Sequence, residues 1–95
     1  FQNRPNGFQM EIVPHLKPVI YEINDVIYDK GDYSEAFFFI SSGEIEITSN
    51  SIENFGVVFG EGEFFGEKEL FENTFRIEKV KCKSRTCLLF ELSML

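Results

Sequence analysis

Residues 60–76 contain the groups best suited to bind an anion, beginning with three closely spaced glycines, Gly60, Gly62 and Gly66. Glycine permits positive φ angles and close approach of the backbone to a ligand. Residues 67–72 favour a helix, whose first free N–H groups and positive dipole end would point into the turn after Gly66. Arg76 follows, and its planar fork of donors suits a phosphate. The pattern predicts a phosphate site, although such glycines are also typical of hairpin turns in a β protein.

Short strands must position this site, because apolar and polar residues alternate with a period of two from Val19 onward. The predicted strands are residues 19–23, 26–28, 36–40, 44–48, 55–59, 77–82 and 86–92, separated by turn signals such as Asn24-Asp25. Since no βαβ rhythm occurs, the prediction is a mainly β fold, an antiparallel roll or jelly roll. A helical stripe over residues 7–16, interrupted at Pro14, predicts a short N-terminal helix, and residues 1–6 a tail or linker.

Two glycine-containing blocks resemble the cyclic nucleotide-binding domain family. The downstream block is similar to the family's phosphate-binding cassette and consists of Phe65-Gly66-Glu67, Leu70 and Arg76. The upstream block consists of Gly31-Asp32, the run 36–40, Gly43 and the segment 45–47. Both blocks occur in the family's order and spacing, and together they cover most of residues 19–92. The resemblance implies the family's antiparallel β-roll, with a short helix in the cassette.

The resemblance also implies a regulatory module that binds cAMP or cGMP and catalyses no reaction. Arg76, which we expect at the mouth of a pocket and not in the core, would pair with the cyclic phosphate, and Glu67 would accept the ribose 2′-hydroxyl. Backbone N–H groups of residues 66–69 would complete the phosphate site. The predicted ligand-binding residues are Phe65, Gly66, Glu67, Lys68, Glu69, Leu70, Arg76 and Ile77, with Phe65 and Leu70 packing the cassette on the core. The ligand would act by binding one conformation better than another.

Two residues after Arg76 depart from the family pattern, which has a small hydroxyl residue and then alanine where Ile77 and Glu78 stand. Strand alternation would place Glu78 on the same inward face as Arg76. Its carboxylate would then pair with Arg76 or repel the phosphate, so we expect Glu78 to weaken binding. Ile77, Glu78 and Glu69 favour an alternative, a ligand-free roll that serves as a structural or interaction domain. The choice between cAMP and cGMP stays open, with a slight preference for cAMP or for no ligand.

Residues 13–32 resemble the cytoplasmic C-terminal domains of voltage-gated potassium or cyclic nucleotide-gated channels more than they resemble kinase regulatory subunits. We therefore expect residues 7–95 to be a cytosolic domain that modulates a cation channel, with a kinase regulatory subunit less favoured. The family's lid helix would follow the last strand, and we expect it to be missing from residues 7–95. Membrane contact and oligomerisation are expected only through the parent protein.

Composition narrows the remaining function classes. The net charge of −7 disfavours binding to nucleic acid or anionic lipid, which requires clustered basic residues. The single histidine disfavours a cupin-type enzyme, and no metal or other cofactor is expected. Cys82 and Cys87 are expected to be reduced and, being five residues apart in a strand region, to point to opposite faces. Twelve phenylalanines and no tryptophan predict a core filled mainly by aromatic packing.

Overall fold

The computed structural model of the chain describes residues 16–48 and 56–93. Within them, the strands form two antiparallel four-stranded sheets. The strands are β1 (Leu16–Glu22), β2 (Val26–Tyr28), β3 (Ala36–Ser42), β4 (Ile45–Thr48), β5 (Val57–Phe59), β6 (Phe64–Phe65), β7 (Lys79–Cys82) and β8 (Thr86–Ser93), and the helix is α1 (Glu67–Glu72). One sheet has the order β1-β8-β3-β6 and the other has the order β2-β7-β4-β5. The predicted mainly β, antiparallel architecture is confirmed.

The core lies between the sheets, because strands of both sheets contribute side chains to one buried cluster. Its members are Tyr28, Phe38, Ile40, Ile45, Phe65, Val80, Cys82, Cys87 and Leu89. Since aliphatic and cysteine side chains outnumber the aromatic ones, the prediction of a mainly aromatic core is wrong. Alternation along β3 explains the difference: Phe38 points inward, while Phe37 and Phe39 pack against the exposed Phe64 on the other face.

Strand β1 begins earlier than the alternation predicted. Leu16, the last residue of the predicted N-terminal helix, is instead the first residue of β1. Pro18 is compatible with β1 because this strand lies at the edge of its sheet, where a missing ladder N–H is tolerated. The rest of the predicted helix (7–15), the tail (1–6), the loop 49–54 and residues 94–95 lie outside the described residues.

The predicted turn at Asn24-Asp25 is present, but one strand was missed. Asn24 adopts a φ of 72°, the left-handed conformation that asparagine tolerates in a turn. Strand β6 pairs Phe65 with Phe38 of β3 and is only two residues long. Two residues carry no recognisable period, so alternation does not reveal this strand. β6 anchors the start of residues 65–76 to the core.

Cys82 and Cys87 lie side by side, so the prediction that they point to opposite faces is wrong. β7 and β8 belong to different sheets, and the turn between them carries the chain across, so both thiols face the core. The Cys87 thiol donates to Sγ of Cys82 at 3.2 Å, and both cysteines are free. Burial, together with this hydrogen bond, raises the pKa of Cys87 to about 12.

Candidate functional site

Residues 65–76, which we call the cassette, fold as the glycine pattern predicted. Gly66 precedes α1 with a φ of 84°, and Asn73 ends the helix with a φ of 60°. A Cβ atom on Gly66 would lie 3.1 Å from Nη1 of Arg76, so this position requires glycine both for its φ angle and for space. The predicted helix is therefore confirmed, and the turn at Gly66 brings the beginning of α1 against the guanidinium of Arg76.

The loop between β2 and β3 holds the end of the cassette by main-chain pairing. Gly31 N–H donates to the Arg76 carbonyl and Arg76 N–H donates to the Asp32 carbonyl, both at 2.8 Å. Tyr33 forms an isolated β-bridge with Phe75. These contacts give a physical reason for the joint occurrence of the two sequence blocks, because the backbone of one positions the arginine of the other.

The Arg76 side chain is buried, and 4% of the residue is exposed. Nη1 donates to the Gly66 carbonyl at 2.7 Å and to Oε1 of Glu69 at 3.1 Å, while Nη2 donates to the Ala36 carbonyl. The guanidinium carbon lies 3.9 Å from the centroid of the Tyr28 ring, which is a cation–π contact. The prediction that Arg76 lies outside the core is therefore wrong, although the residue does line a cavity, as predicted. Burial of this charge is tolerated because carbonyls, a carboxylate and an aromatic ring surround it.

The carboxylate that pairs with Arg76 belongs to Glu69, in the first turn of α1. Glu69 is 7% exposed, whereas acidic residues are rarely buried unless they are paired. Within the described residues, Arg76 forms its salt bridge with Glu69, at 3.1 Å. The expected pairing of Arg76 with Glu78 is therefore wrong. β7 begins at Lys79, and residues 77 and 78 therefore lie outside the strand. Strand alternation does not extend from Arg76 to Glu78, which explains the error.

The Tyr28 ring lies against the guanidinium, and the charged residues nearby affect the pKa of its hydroxyl. Burial raises the pKa of its hydroxyl to about 12; Arg76 opposes this shift, and the carboxylates of Glu69, Glu78 and Glu67 add to it. Glu78 is half-buried, and it acts on Tyr28 through its electric field. Sequence reasoning missed Tyr28 as a site residue because its alternation pattern is that of any strand residue.

The remaining predicted ligand-binding residues divide between core and surface. Phe65 is buried and stacks on Phe38 with ring centroids 5.0 Å apart, and Leu70 is half-buried. The exposed members are Glu67, Lys68 and Ile77. The groups that the structure brings together are Gly66, Glu69 and Arg76, joined by Tyr28 and by the carbonyl of Ala36. The role of Ala36 was not predictable from side-chain patterns because its backbone provides it.

A cavity of about 360 Å³ opens beside Arg76, and its volume is typical of ligand pockets. Its lining includes Arg76 and three acidic residues, Asp32, Glu35 and Glu91, but none of residues 65–70. Three carboxylates around one guanidinium disfavour an anion in this cavity, so a phosphate is better sought at the turn around Gly66. Within residues 16–48 and 56–93, no group of three or more His, Cys, Asp or Glu residues is placed to hold a metal ion.

Comparison with known proteins identifies the family. The sequence model of the cyclic nucleotide-binding domain matches residues 18–94. The cAMP-dependent protein kinase regulatory subunit of Schizosaccharomyces pombe is 30% identical over 77 residues, which are 81% of this chain and 18% of that protein. A cyclic nucleotide-gated potassium channel of Rhizobium etli is 32% identical over 89 residues, which are 94% of this chain and 24% of that protein. The chain thus spans less than a quarter of the length of these curated relatives.

Solved structures share the architecture. The regulatory subunit of a cAMP-independent protein kinase A from Trypanosoma brucei superposes with a TM-score of 0.75 at 23% identity, over 82% of this chain and 28% of that chain. In the part of the chain that the structure describes, no helix has the length and apolar character needed to cross a membrane. Because the family model matches most of the sequence and the fold agrees with it, the chain belongs to the cyclic nucleotide-binding domain family.

Proposed function

We propose that this domain is a regulatory sensor that binds cAMP or cGMP at the cassette and transmits the binding event to an attached effector. The observation that carries the proposal is the position of Arg76, whose Nη1 lies 2.7 Å from the Gly66 carbonyl at the turn before α1. A guanidinium held there offers charged donors to a cyclic phosphate. Family membership supports a cyclic nucleotide as the ligand class.

The cassette residues would divide the recognition of the nucleotide among them. Arg76 would bind the phosphate together with backbone N–H groups of residues 66–69, and the exposed carboxylate of Glu67 would accept the ribose 2′-hydroxyl. Lys68 would add an exposed positive charge beside the phosphate. Ile77, which is 54% exposed, would offer the base an apolar surface without a hydroxyl, so we expect cAMP to bind at least as tightly as cGMP.

We propose a cation channel as the effector, with the domain on its cytosolic side. The Rhizobium etli relative is a cyclic nucleotide-gated potassium channel, and its match covers 94% of this chain. A kinase is the second candidate, because the Schizosaccharomyces pombe relative is a kinase regulatory subunit whose match covers 81%. In either parent, the ligand would shift the population between two conformations of the domain, and the effector would respond to that shift.

A ligand-free interaction domain is the second candidate function, and the hydrogen bonds of Arg76 favour it. Three of the five guanidinium donors already bond to Gly66, Glu69 and Ala36. If these bonds persist in the presence of nucleotide, the roll acts through its surface alone. The two candidates differ in one measurable property, which is whether a cyclic nucleotide binds.

Isothermal titration calorimetry with cAMP and cGMP tests the proposal, with 5′-AMP as a control for the cyclic phosphate. We expect both cyclic nucleotides to bind more tightly than 5′-AMP. Glu67→Ala should weaken binding by roughly tenfold or more, because a hydrogen bond to a charged group is lost. Glu72→Ala is the matched control, since Glu72 is exposed on the same helix. Failure of both cyclic nucleotides to bind the native chain and the Glu69→Ala variant would contradict the proposal and support the ligand-free alternative.

A further inference from the structure

The salt bridge between Glu69 and Arg76 occupies a guanidinium donor that the proposed phosphate would use. The two charged groups are 3.1 Å apart, and their side chains are 9% and 3% exposed, respectively. Helix α1 carries two other glutamates, Glu67 and Glu72, which are both exposed. The helix therefore turns one of its carboxylates into the interior, where it is stable only with a charged partner. Arg76 is that partner.

A carboxylate and a phosphate compete for the same donors on a guanidinium. Both accept short, charge-assisted hydrogen bonds from the Nη atoms. The three acceptors on Arg76 are the carbonyls of Gly66 and Ala36 and the carboxylate of Glu69, and of these the carboxylate is the charged one. A phosphate oxygen approaching Nη1 would meet an occupied donor and a like charge at contact distance. A phosphate therefore has access to this donor only when Glu69 leaves it.

We propose that Glu69 is an internal competitor for the phosphate site. Its carboxylate holds Arg76 in the ligand-free state, and an anionic ligand binds by taking its place. The inference rests on the proposed function for the identity of the ligand, a cyclic nucleotide, but the exchange itself requires only an anion. Because the binding-competent state is the one in which Glu69 has left, this residue lowers the apparent affinity and raises the ligand concentration at which the sensor responds.

Where the exchange proceeds by movement of the helix, it also couples binding to the position of α1. Glu69 lies within this helix, and its carboxylate would leave the interior either by a change of its own rotamer or by movement of the helix end, where its carbonyl accepts a hydrogen bond from Thr74 N–H at 3.0 Å. The helix rests on β3 through Phe71 and Phe37, whose ring centroids are 6.0 Å apart. Phe71 is 58% exposed, and this contact therefore holds the helix weakly. α1 is the element that would differ between the ligand-free and ligand-bound states.

Two substitutions of Glu69 test the proposal against the native chain. Glu69→Gln keeps an oxygen near Arg76 without the charge, and Glu69→Ala removes the competitor entirely. Glu72→Ala is the control, because it removes one negative charge from an exposed position on the same helix. The probes are cAMP, by calorimetry, and inorganic phosphate, by the shift in Tm. We expect Glu69→Ala to bind cAMP at least about tenfold more tightly than the native chain, and phosphate to raise the Tm of this variant more than that of the native chain.

The outcomes separate the inference from the proposed function. Stabilisation of Glu69→Ala by phosphate without any binding of cAMP would uphold the exchange at Arg76 and contradict the cyclic nucleotide as ligand. Equal cAMP affinity in the native chain and both variants would overturn the competitor role and leave the function standing. An equal gain in Glu72→Ala would also overturn it, because the effect would then be one of overall charge. If Glu69→Ala does not fold, the same two measurements on Glu69→Gln test the proposal, since its amide fills the same space. No response of the folded variants to either probe would overturn both.

Discussion

Replacing Arg76 with alanine is expected to destabilise the fold severely, because three separate parts of the chain share its guanidinium. The change leaves the carboxylate of Glu69 buried without its partner. It also leaves the carbonyls of Gly66 and Ala36 without these donors, and it removes the contact with the Tyr28 ring. The substitution therefore removes contacts that join the cassette to β2 and to the start of β3.

The magnitude follows from the burial of the pair. Removing one partner of a buried ion pair typically costs about 3–5 kcal/mol, because the other charge remains uncompensated. A domain of this size has a total free energy of unfolding of about 5–15 kcal/mol. Arg76→Ala is therefore expected to remove between about a fifth and all of the free energy of unfolding. In contrast, Arg76→Met combined with Glu69→Leu should recover much of the loss, since the pair of apolar side chains leaves no buried charge.

Urea denaturation followed by circular dichroism measures these free energies, provided that the slope m is unchanged between variants. Arg85→Ala is the matched control, because Arg85 is exposed in the turn between β7 and β8, and its loss should change stability by less than about 0.5 kcal/mol. A loss below about 1 kcal/mol for Arg76→Ala would refute the reasoning, because the guanidinium would then not be buried and shared as described.

Two further predictions concern the cassette glycine and the buried titratable groups. Gly66 and Gly62 have similar φ angles, 84° and 86°. A Cβ added at Gly66 would lie 3.1 Å from Nη1 of Arg76, whereas a Cβ added at Gly62 would have no atom within 4 Å. Gly62→Ala should therefore cost about 1–2 kcal/mol and Gly66→Ala clearly more by urea denaturation, and equal losses would contradict the close packing. Tyr28 and Cys87 have pKa values raised to about 12 in the folded state, from 10.0 and 9.0. Their neutral forms thus contribute stability that is complete below about pH 10 for Tyr28 and below about pH 9 for Cys87, and that is lost as the pH rises toward 12, by roughly 1 kcal/mol per pH unit for each group. Tyr28→Phe should flatten this decline in alkaline urea titrations, and an unchanged decline would count against the burial of the hydroxyl.

The regular parts of the fold were predictable because they depend on local sequence. Alternation identified most strands of both sheets, and Gly66 with Asn73 marked the two ends of α1. The cysteine pair was not predictable in the same way. Whether Cys82 and Cys87 face each other depends on the turn carrying the chain from one sheet to the other, which no local period encodes.

The chemistry of the site was predictable in its residue types and not in its contacts. Arg76 was identified from its spacing to Gly66, yet its burial depends on backbone carbonyls brought from β3 and from the cassette turn. The choice of Glu69 over Glu78 as its partner depends on where β7 begins, and strand boundaries are the least certain feature of a sequence. Tertiary geometry, and not residue identity, decided both points.

The place at which the ligand binds is most directly tested by an NMR titration of the isotope-labelled chain with cAMP. We expect the largest chemical-shift changes at the amide signals of residues 66–69 and at the guanidinium signals of Arg76, with a parallel change at the Glu69 carboxylate as it leaves the salt bridge. The signals of Arg85, in the turn between β7 and β8, should stay in place. Changes concentrated at Tyr21 and Glu91 in the acidic cavity, with Arg76 and Glu69 unaffected, would contradict binding at the cassette.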